Sequence, residues 1–188
     1  MAVNGDAGAR PKAVLGVAAG VAAYKVAFVA SRLVQLGVDV RVAMTPSALA
    51  FVGPATFGGL TSSQPILSST QVDADGSVPH IDAAQGAGVY CIAPATAGVL
   101  AQLASGATDD PVALLATTVR CPIVLCPAMN DAMWGRESVQ QNVATLAARG
   151  CETLGPVEGH LAEGYDAIGR MVEPEAIVAR LSSILGLA

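Results

Sequence analysis

The sequence predicts an α/β fold, a three-layer domain built around a mostly parallel sheet. Three observations point that way. Short apolar runs alternate along the chain with stretches of helical periodicity. The runs are almost free of polar residues, as strands buried on both faces are. Most of them lead into a small turn containing glycine or proline, the kind that joins a strand to a helix.

Taken in order, residues 1–12 are small and polar, lack the apolar core of a signal peptide, and are expected to be a disordered lead-in. Residues 13–18 are the first strand. Residues 21–36 follow as a helix stopped by Gly37, with Lys25, Arg32 and Gln35 on one polar stripe. Residues 38–43 make the second strand, and 88–93 and 122–126 two more. Residues 137–149 carry Val139, Val143, Leu146 and Ala147 at helical spacing before Gly150. Residues 175–185 do the same with Ile177, Leu181, Ile184 and Leu185, and Pro174 is placed to open that helix. The non-periodic stretches 61–79 and 155–172 are expected to be active-site or interface loops. With no internal repeat, residues 13–188 are expected to form one domain, with no further domain behind it.

Of the 188 residues, 53% are hydrophobic and only 13% are charged. So little charge predicts a surface covered by other copies of the chain, because obligate interfaces are depleted in charge in the same way. A net charge of −5 without any Lys/Arg cluster argues against nucleic acid. Glycine and proline interrupt the charge-free stretches, which argues against a membrane span. Cys91, Cys121, Cys126 and Cys151 show no CxxC spacing and read as buried free thiols of a cytoplasmic protein, with no metal site.

Four strand ends carry polar or small residues suited to chemistry. After the first strand, Ala19, Gly20 and Val21 form a turn that lets a ligand approach backbone amides at a helix N-terminus. After the second, Thr45 and Ser47 either cap a helix or bind the same phosphate. Two neighbouring strand ends with hydroxyls and free amides suit a mononucleotide such as FMN better than NAD. Pro94, Ala95, Thr96 and Ala97 form a third turn. The fourth is the block Pro127, Ala128, Met129, Asn130, Asp131, Ala132, Met133 and Trp134. Its Met and Trp side chains either plug the end of a core or face a ligand, whereas an Asn there offers both donor and acceptor to an amide and a carboxylate. His80 is either a structural histidine or a base for a thiol, since histidine is the residue type that titrates near neutrality. His160 lies in a polar, glycine-rich loop and is expected to be exposed.

These residues resemble the flavin-containing cysteine decarboxylase family. The resemblance spans residues 13–172 and rests on Ala22 to Lys25, Met44-Thr45 with Ala48 and Phe51, Pro54 to Phe57, and His80-Ile81. It continues through Ala93 to Ala97, Asp109-Asp110, the 127–134 block, Gly159 to Ala162, and Gly169-Arg170-Met171. It implies a Rossmann-like flavoprotein assembled as trimers, often four to a dodecamer, with FMN at the subunit contact. It further implies that Ala19, Gly20, Val21, Thr45, Ser47, Pro94, Ala95, Thr96, Ala97 and Ala128 hold FMN, and that His80 is the active-site base. Asn130 and Met133, with Gly159, Leu161 and Glu163 on a flap over residues 156–171, would then face the substrate.

Three departures bear on which branch this is. Relatives in coenzyme A synthesis carry a flap cysteine in an Ala-Cys-Gly triplet that returns an enethiol product to the saturated thiol; here the triplet is Ala162-Glu163-Gly164. Gly98 stands where the family has an Asn that grips the substrate carboxylate, and Gly20 where many relatives have a hydroxyl for the flavin phosphate. The expectation is therefore oxidative decarboxylation of the C-terminal cysteine of a ribosomally made precursor peptide, as in the cypemycin-type branch. The product would be an aminoenethiol able to enter an S-(2-aminovinyl)cysteine crosslink. The alternative is a stand-alone phosphopantothenoylcysteine decarboxylase.

Overall fold

The computed structural model describes residues 10–187. Five strands form a parallel sheet in the order β2 (Asp39–Met44), β1 (Lys12–Val17), β3 (Ala87–Ala95), β4 (Ile123–Pro127) and β5 (Glu152–Thr153). The α/β class, with its mostly parallel sheet, is as predicted. Along β1 the pleat sends Ala13, Leu15 and Val17 into one core and Val14 into the other, all fully buried. That is why the strand carries no polar side chain from Ala13 to Val17.

Helices cover both faces. On one side lie α1 (Ala23–Gln35), α2 (Pro54–Thr61) and α8 (Pro174–Ile184), contributing Val26, Leu33, Phe57, Ile177 and Leu181 to the first core. On the other lie α3 (Pro79–Ala84), α4 (Ala97–Ser105), α5 (Pro111–Thr118) and α7 (Glu137–Ala148), contributing Ala83, Leu100, Leu115 and Leu146. Each fully buried side chain of Leu or Ile size stabilises the fold by about 1.5–3 kcal/mol. The Asp109-Asp110 pair of the sequence has a local structural role: Asp110 caps α5, its Oδ1 accepting from Val112 N at 2.8 Å and Ala113 N at 3.0 Å.

Several boundaries differ from the sequence reading. Residues 1–9 of the expected lead-in lie outside the described residues, but Lys12 already belongs to β1 and donates to the carbonyls of Asp82 and Gln85 at 3.2 and 2.8 Å. Helix α1 starts at Ala23 rather than residue 21, because Gly20 at φ +152° and the turn after it hold the chain out of the helix. β3 runs on to Ala95, and the two-residue β5 carries no apolar run by which to recognise it. Residues 62–78 are irregular apart from Ile66, which bridges to Ala43 beside β2.

The expected loop over 155–172 is instead an antiparallel hairpin, β6 (Val157–His160) and β7 (Asp166–Arg170). It stands apart from the main sheet, and its residues are mostly exposed, so no hydrophobic alternation marks it. All four cysteines are free thiols, Cys91 and Cys126 buried in the sheet but Cys121 and Cys151 only half-buried. No described helix is long and apolar enough to cross a membrane.

Arg180 of α8 grips Glu152 of β5 with two bonds, Nε to Oε1 and Nη2 to Oε2, both 2.7 Å. The guanidinium holds the Glu152 carboxyl below the usual glutamate value. A carboxyl depressed in the folded state contributes stability above its unfolded pKa and loses it as pH falls through the folded one. We expect the urea midpoint to drop between pH 7 and about pH 4 by more in the wild type than in Arg180→Met. Parallel curves would show that the pair adds nothing.

Candidate functional site

In an open sheet of order 2-1-3-4-5, ligands bind in the crevice outside the carboxyl ends of the strands, where the strand order reverses between β1 and β3. The residues singled out at strand ends converge there. The Thr45 amide donates to Val17 O at 3.0 Å, joining the ends of β2 and β1, and the Ala128 amide donates to Ala95 O at 3.2 Å, joining those of β4 and β3.

Thr45 sits at the N-cap of a 3-10 turn, Pro46–Ala50, yet makes no side-chain cap bond. Its Oγ1 is buried without a partner, so the capping role that the sequence allowed is not realised. An unpartnered buried hydroxyl costs about 1–3 kcal/mol, a cost that a ligand oxygen removes. Ser47, two residues on, is exposed. Thr96 does cap its helix, accepting from Val99 N at 3.4 Å, while Pro94 and Ala95 are buried in the strand end. His80, near the start of α3, is half-buried and its Nδ1 is buried without a partner. The orphaned Thr45 hydroxyl at the end of β2, with the open turn at Gly20 after β1, fits a polar mononucleotide at these strand ends.

A cavity of about 500 Å³ opens beside the Gly20 turn. Its walls are Gly20, Val21, Ala22, Tyr24 and Lys25 from the first turn and α1, and Ala128, Met129 and Asn130 from the end of β4. The hairpin supplies His160 to Glu163 and Gly169 to Met171. Of the predicted residues, Gly20, Val21, Ala128, Asn130, Leu161 and Glu163 thus meet in one place. His80, Ala19, Thr45, Ser47, Pro94 to Ala97, Met133 and Gly159 do not line this cavity. Met133 is exposed, and Trp134 packs against the core between sheet and helices, so of the two alternatives the tryptophan takes the structural one.

The hairpin is seated by its backbone. The Met129 amide donates to Gly169 O at 3.0 Å, and a Cβ on Gly169, at φ +141°, would run into the Met129 carbonyl. Only glycine lets β7 approach the 127–134 block this closely.

Sequence reasoning missed two polar clusters. Lys25 Nζ, nearly buried, pairs with Glu173 Oε2 at 3.1 Å, and Arg170 bonds the other oxygen of the same carboxylate. The two cations, Lys25 foremost, hold Glu173 below the usual glutamate value. Lys25 and Arg170 stood inside quoted motifs, but nothing in the chain order says that they share an acid. The second cluster joins Asn130 to the hairpin tip. Asn130 Nδ2 donates to Glu163 Oε1 at 3.1 Å and to the Tyr165 hydroxyl at 2.9 Å, and that hydroxyl donates to Asp131 Oδ1 at 2.6 Å. Bonding to Asp131 raises the Tyr165 phenol above its ordinary value. His160, exposed as expected, lies 3.2 Å from Asp166.

The profile of the family described as Flavoprotein matches residues 4–186. The chain belongs to that family. The coenzyme A biosynthesis bifunctional protein CoaBC of Mycolicibacterium smegmatis is 41% identical over 177 residues, which are 94% of this chain and 42% of that protein. The chain therefore spans about two fifths of the length of the curated relatives it matches. The solved structure of the FMN-dependent cysteine decarboxylase SpaF is 30% identical, with a TM-score of 0.76 over 93% of this chain and 97% of that one. A PPC decarboxylase mutant complexed with pantothenoylaminoethenethiol superposes with a TM-score of 0.82 over 95% and 100% of the two chains; at 24% identity it bears on the fold alone. The resemblance to flavin-containing cysteine decarboxylases is borne out at the level of the family, and with it FMN as cofactor.

Proposed function

We propose that the chain decarboxylates a cysteine held in amide linkage and releases it as an enethiol. The observation that carries this reading is the cavity at the strand ends, where Asn130 presents its amide while no cysteine is among the lining residues. When bound, FMN supplies the acceptor for the hydride that leaves the cysteine Cβ; the resulting β-thioketo acid loses CO2 readily because sulfur takes the electrons. In this reading His80 takes the thiol proton, and Asn130 donates to the substrate carboxylate. The hairpin tip covers the site against water.

Returning the enethiol to a saturated thiol needs the two electrons given up in the first step to come back, together with a proton at carbon. The resemblance assigns a flap cysteine a part in that return, and Glu163 stands in its place. In this proposal the electrons pass instead to dioxygen, so the reaction is oxidative overall.

Two substrates contain such a cysteine. Identity to the coenzyme A proteins supports phosphopantothenoylcysteine, which the sequence reading placed second, and on relatedness it is now the better-supported substrate. The Glu163 departure is the observation that favours the C-terminal cysteine of a precursor peptide. In either case the site is proposed to be completed by a second copy in a trimer or dodecamer. His80 lies off the Asn130 cavity within one chain, and Val21 just before α1 and Tyr24 and Phe28 on it are 62, 59 and 44% exposed.

The test is to incubate the FMN-loaded protein in air with phosphopantothenoylcysteine and, separately, with a peptide ending in cysteine, and to weigh the products. Loss of CO2 and two hydrogens is expected. Loss of CO2 alone would overturn the oxidative reading, and no mass change with either would overturn the decarboxylase reading. Whichever substrate reacts names the branch.

A further inference from the structure

In this structure Asn130 has no hydrogen left to offer. Its Oδ1 accepts from the Ala132 amide at 2.8 Å, capping α6 (Asp131–Trp134) and fixing which way the side-chain amide faces. Both Nδ2 hydrogens then go to the hairpin tip, one to Glu163 Oε1 and one to the Tyr165 hydroxyl. Tyr165 passes its own hydrogen to Asp131, so the tyrosine is oriented at both ends. The turn carrying both acceptors is itself closed, Leu161 N donating to Tyr165 O at 2.9 Å and Gly164 N to Leu161 O at 3.0 Å. Three side-chain bonds thus latch a pre-shaped turn onto the residue proposed to receive substrate.

We infer that Glu163 is an internal stand-in for the substrate carboxylate, which must displace it from Asn130 to bind. The inference rests on the reading of Asn130 as the carboxylate donor. The exchange is like for like: a carboxylate leaves the amide and a carboxylate replaces it. A ligand without that group offers Asn130 nothing equivalent. The decarboxylated product is such a ligand, so once CO2 has left, Glu163 retakes the amide and the turn recloses. Glu163 thereby lets the site tell substrate from product, and Tyr165 with Asp131 are positioning residues for the latch. The competition also weakens substrate binding, because apparent affinity is reduced by the fraction of molecules with the latch open.

The experiment is a calorimetric titration of the FMN-loaded protein with analogues in which serine replaces cysteine, phosphopantothenoylserine and a peptide ending in serine, which cannot be oxidised at sulfur. Glu163→Ala is expected to tighten the analogue that binds by about threefold to tenfold. Tyr165→Phe, which breaks two latch bonds without changing charge, is expected to tighten it in the same direction. Glu158→Ala removes a charge from the same hairpin but no latch bond, and is expected to leave the Kd within about twofold, as surface charges away from a site do. Unchanged or weaker binding in Glu163→Ala and Tyr165→Phe would overturn the inference, as would equal tightening in Glu158→Ala, which would reduce the effect to net charge. Should no variant bind either analogue, the reading of Asn130 falls as well; if the wild type binds but the latch variants do not bind tighter, only the latch falls.

Discussion

Replacing Asn130 by Asp is expected to lower kcat/KM on a cysteine substrate by about 100-fold or more while leaving the fold intact. The two roles of Asn130 separate cleanly in this variant. Asp is as good an N-cap as Asn, so the bond from the Ala132 amide survives and α6 keeps its start. What disappears is the pair of Nδ2 hydrogens now directed at Glu163 and Tyr165. In their place stands a carboxylate, which repels the incoming substrate carboxylate and also faces Glu163. A hydrogen bond to a charged group contributes about 1.5–3 kcal/mol, and like-charge repulsion adds to the loss. The check is kcat/KM beside the thermal midpoint and the flavin-to-protein absorbance ratio. Undiminished kcat/KM would remove Asn130 from substrate recognition and the latch with it.

Turnover is expected to fall about 100- to 10,000-fold in His80→Asn, with FMN still bound. His80 is held near the first turn of α3, half-buried, with Nδ1 enclosed and without a partner in the protein. A buried polar atom left in this state costs free energy, and structures retain such atoms where a ligand or a function supplies the missing partner. Asn preserves a hydrogen-bonding group of similar reach but cannot accept and release a proton. Loss of turnover with the flavin spectrum intact would assign His80 to proton transfer; undiminished turnover would remove it from the mechanism. Mixing inactive His80→Asn with inactive Asn130→Asp subunits adds a reading of the assembly. Recovery of activity is expected if one copy supplies the histidine and another the amide.

Much of this was legible in the chain order. Uniformly apolar runs such as residues 13–18 announce strands buried on both faces, and the sheet confirms them with Ala13, Leu15 and Val17 in one core and Val14 in the other. The hairpin was not legible. Val157, Glu158 and His160 are exposed on β6, as are Asp166 and Ile168 on β7, so no alternating apolar face exists to betray strands. Gly169, whose missing Cβ lets the hairpin dock against Met129, looks in the sequence like any other loop glycine. The cysteine thiols were half legible: Cys91 and Cys126 are buried with their strands, but Cys121 and Cys151 lie just before β4 and β5, outside the strands, and are only half-buried.

The layered α/β class and the strand ends where ligand chemistry gathers could be read from the chain order, because periodicity and strand-end turns are local properties. The flavoprotein kinship rested on the resemblance of its motifs. What those residues face depends on how the elements pack. Thr45 proved not to cap its turn, Trp134 proved to pack against the core, and His80 proved to lie off the cavity that holds Asn130. The tertiary structure also placed Glu163 and Tyr165 on an amide more than thirty residues away, at separations of 33 and 35 residues. Hydrogen bonds between distant elements depend on how a hairpin packs on a strand end, and no pattern of neighbouring residues encodes that.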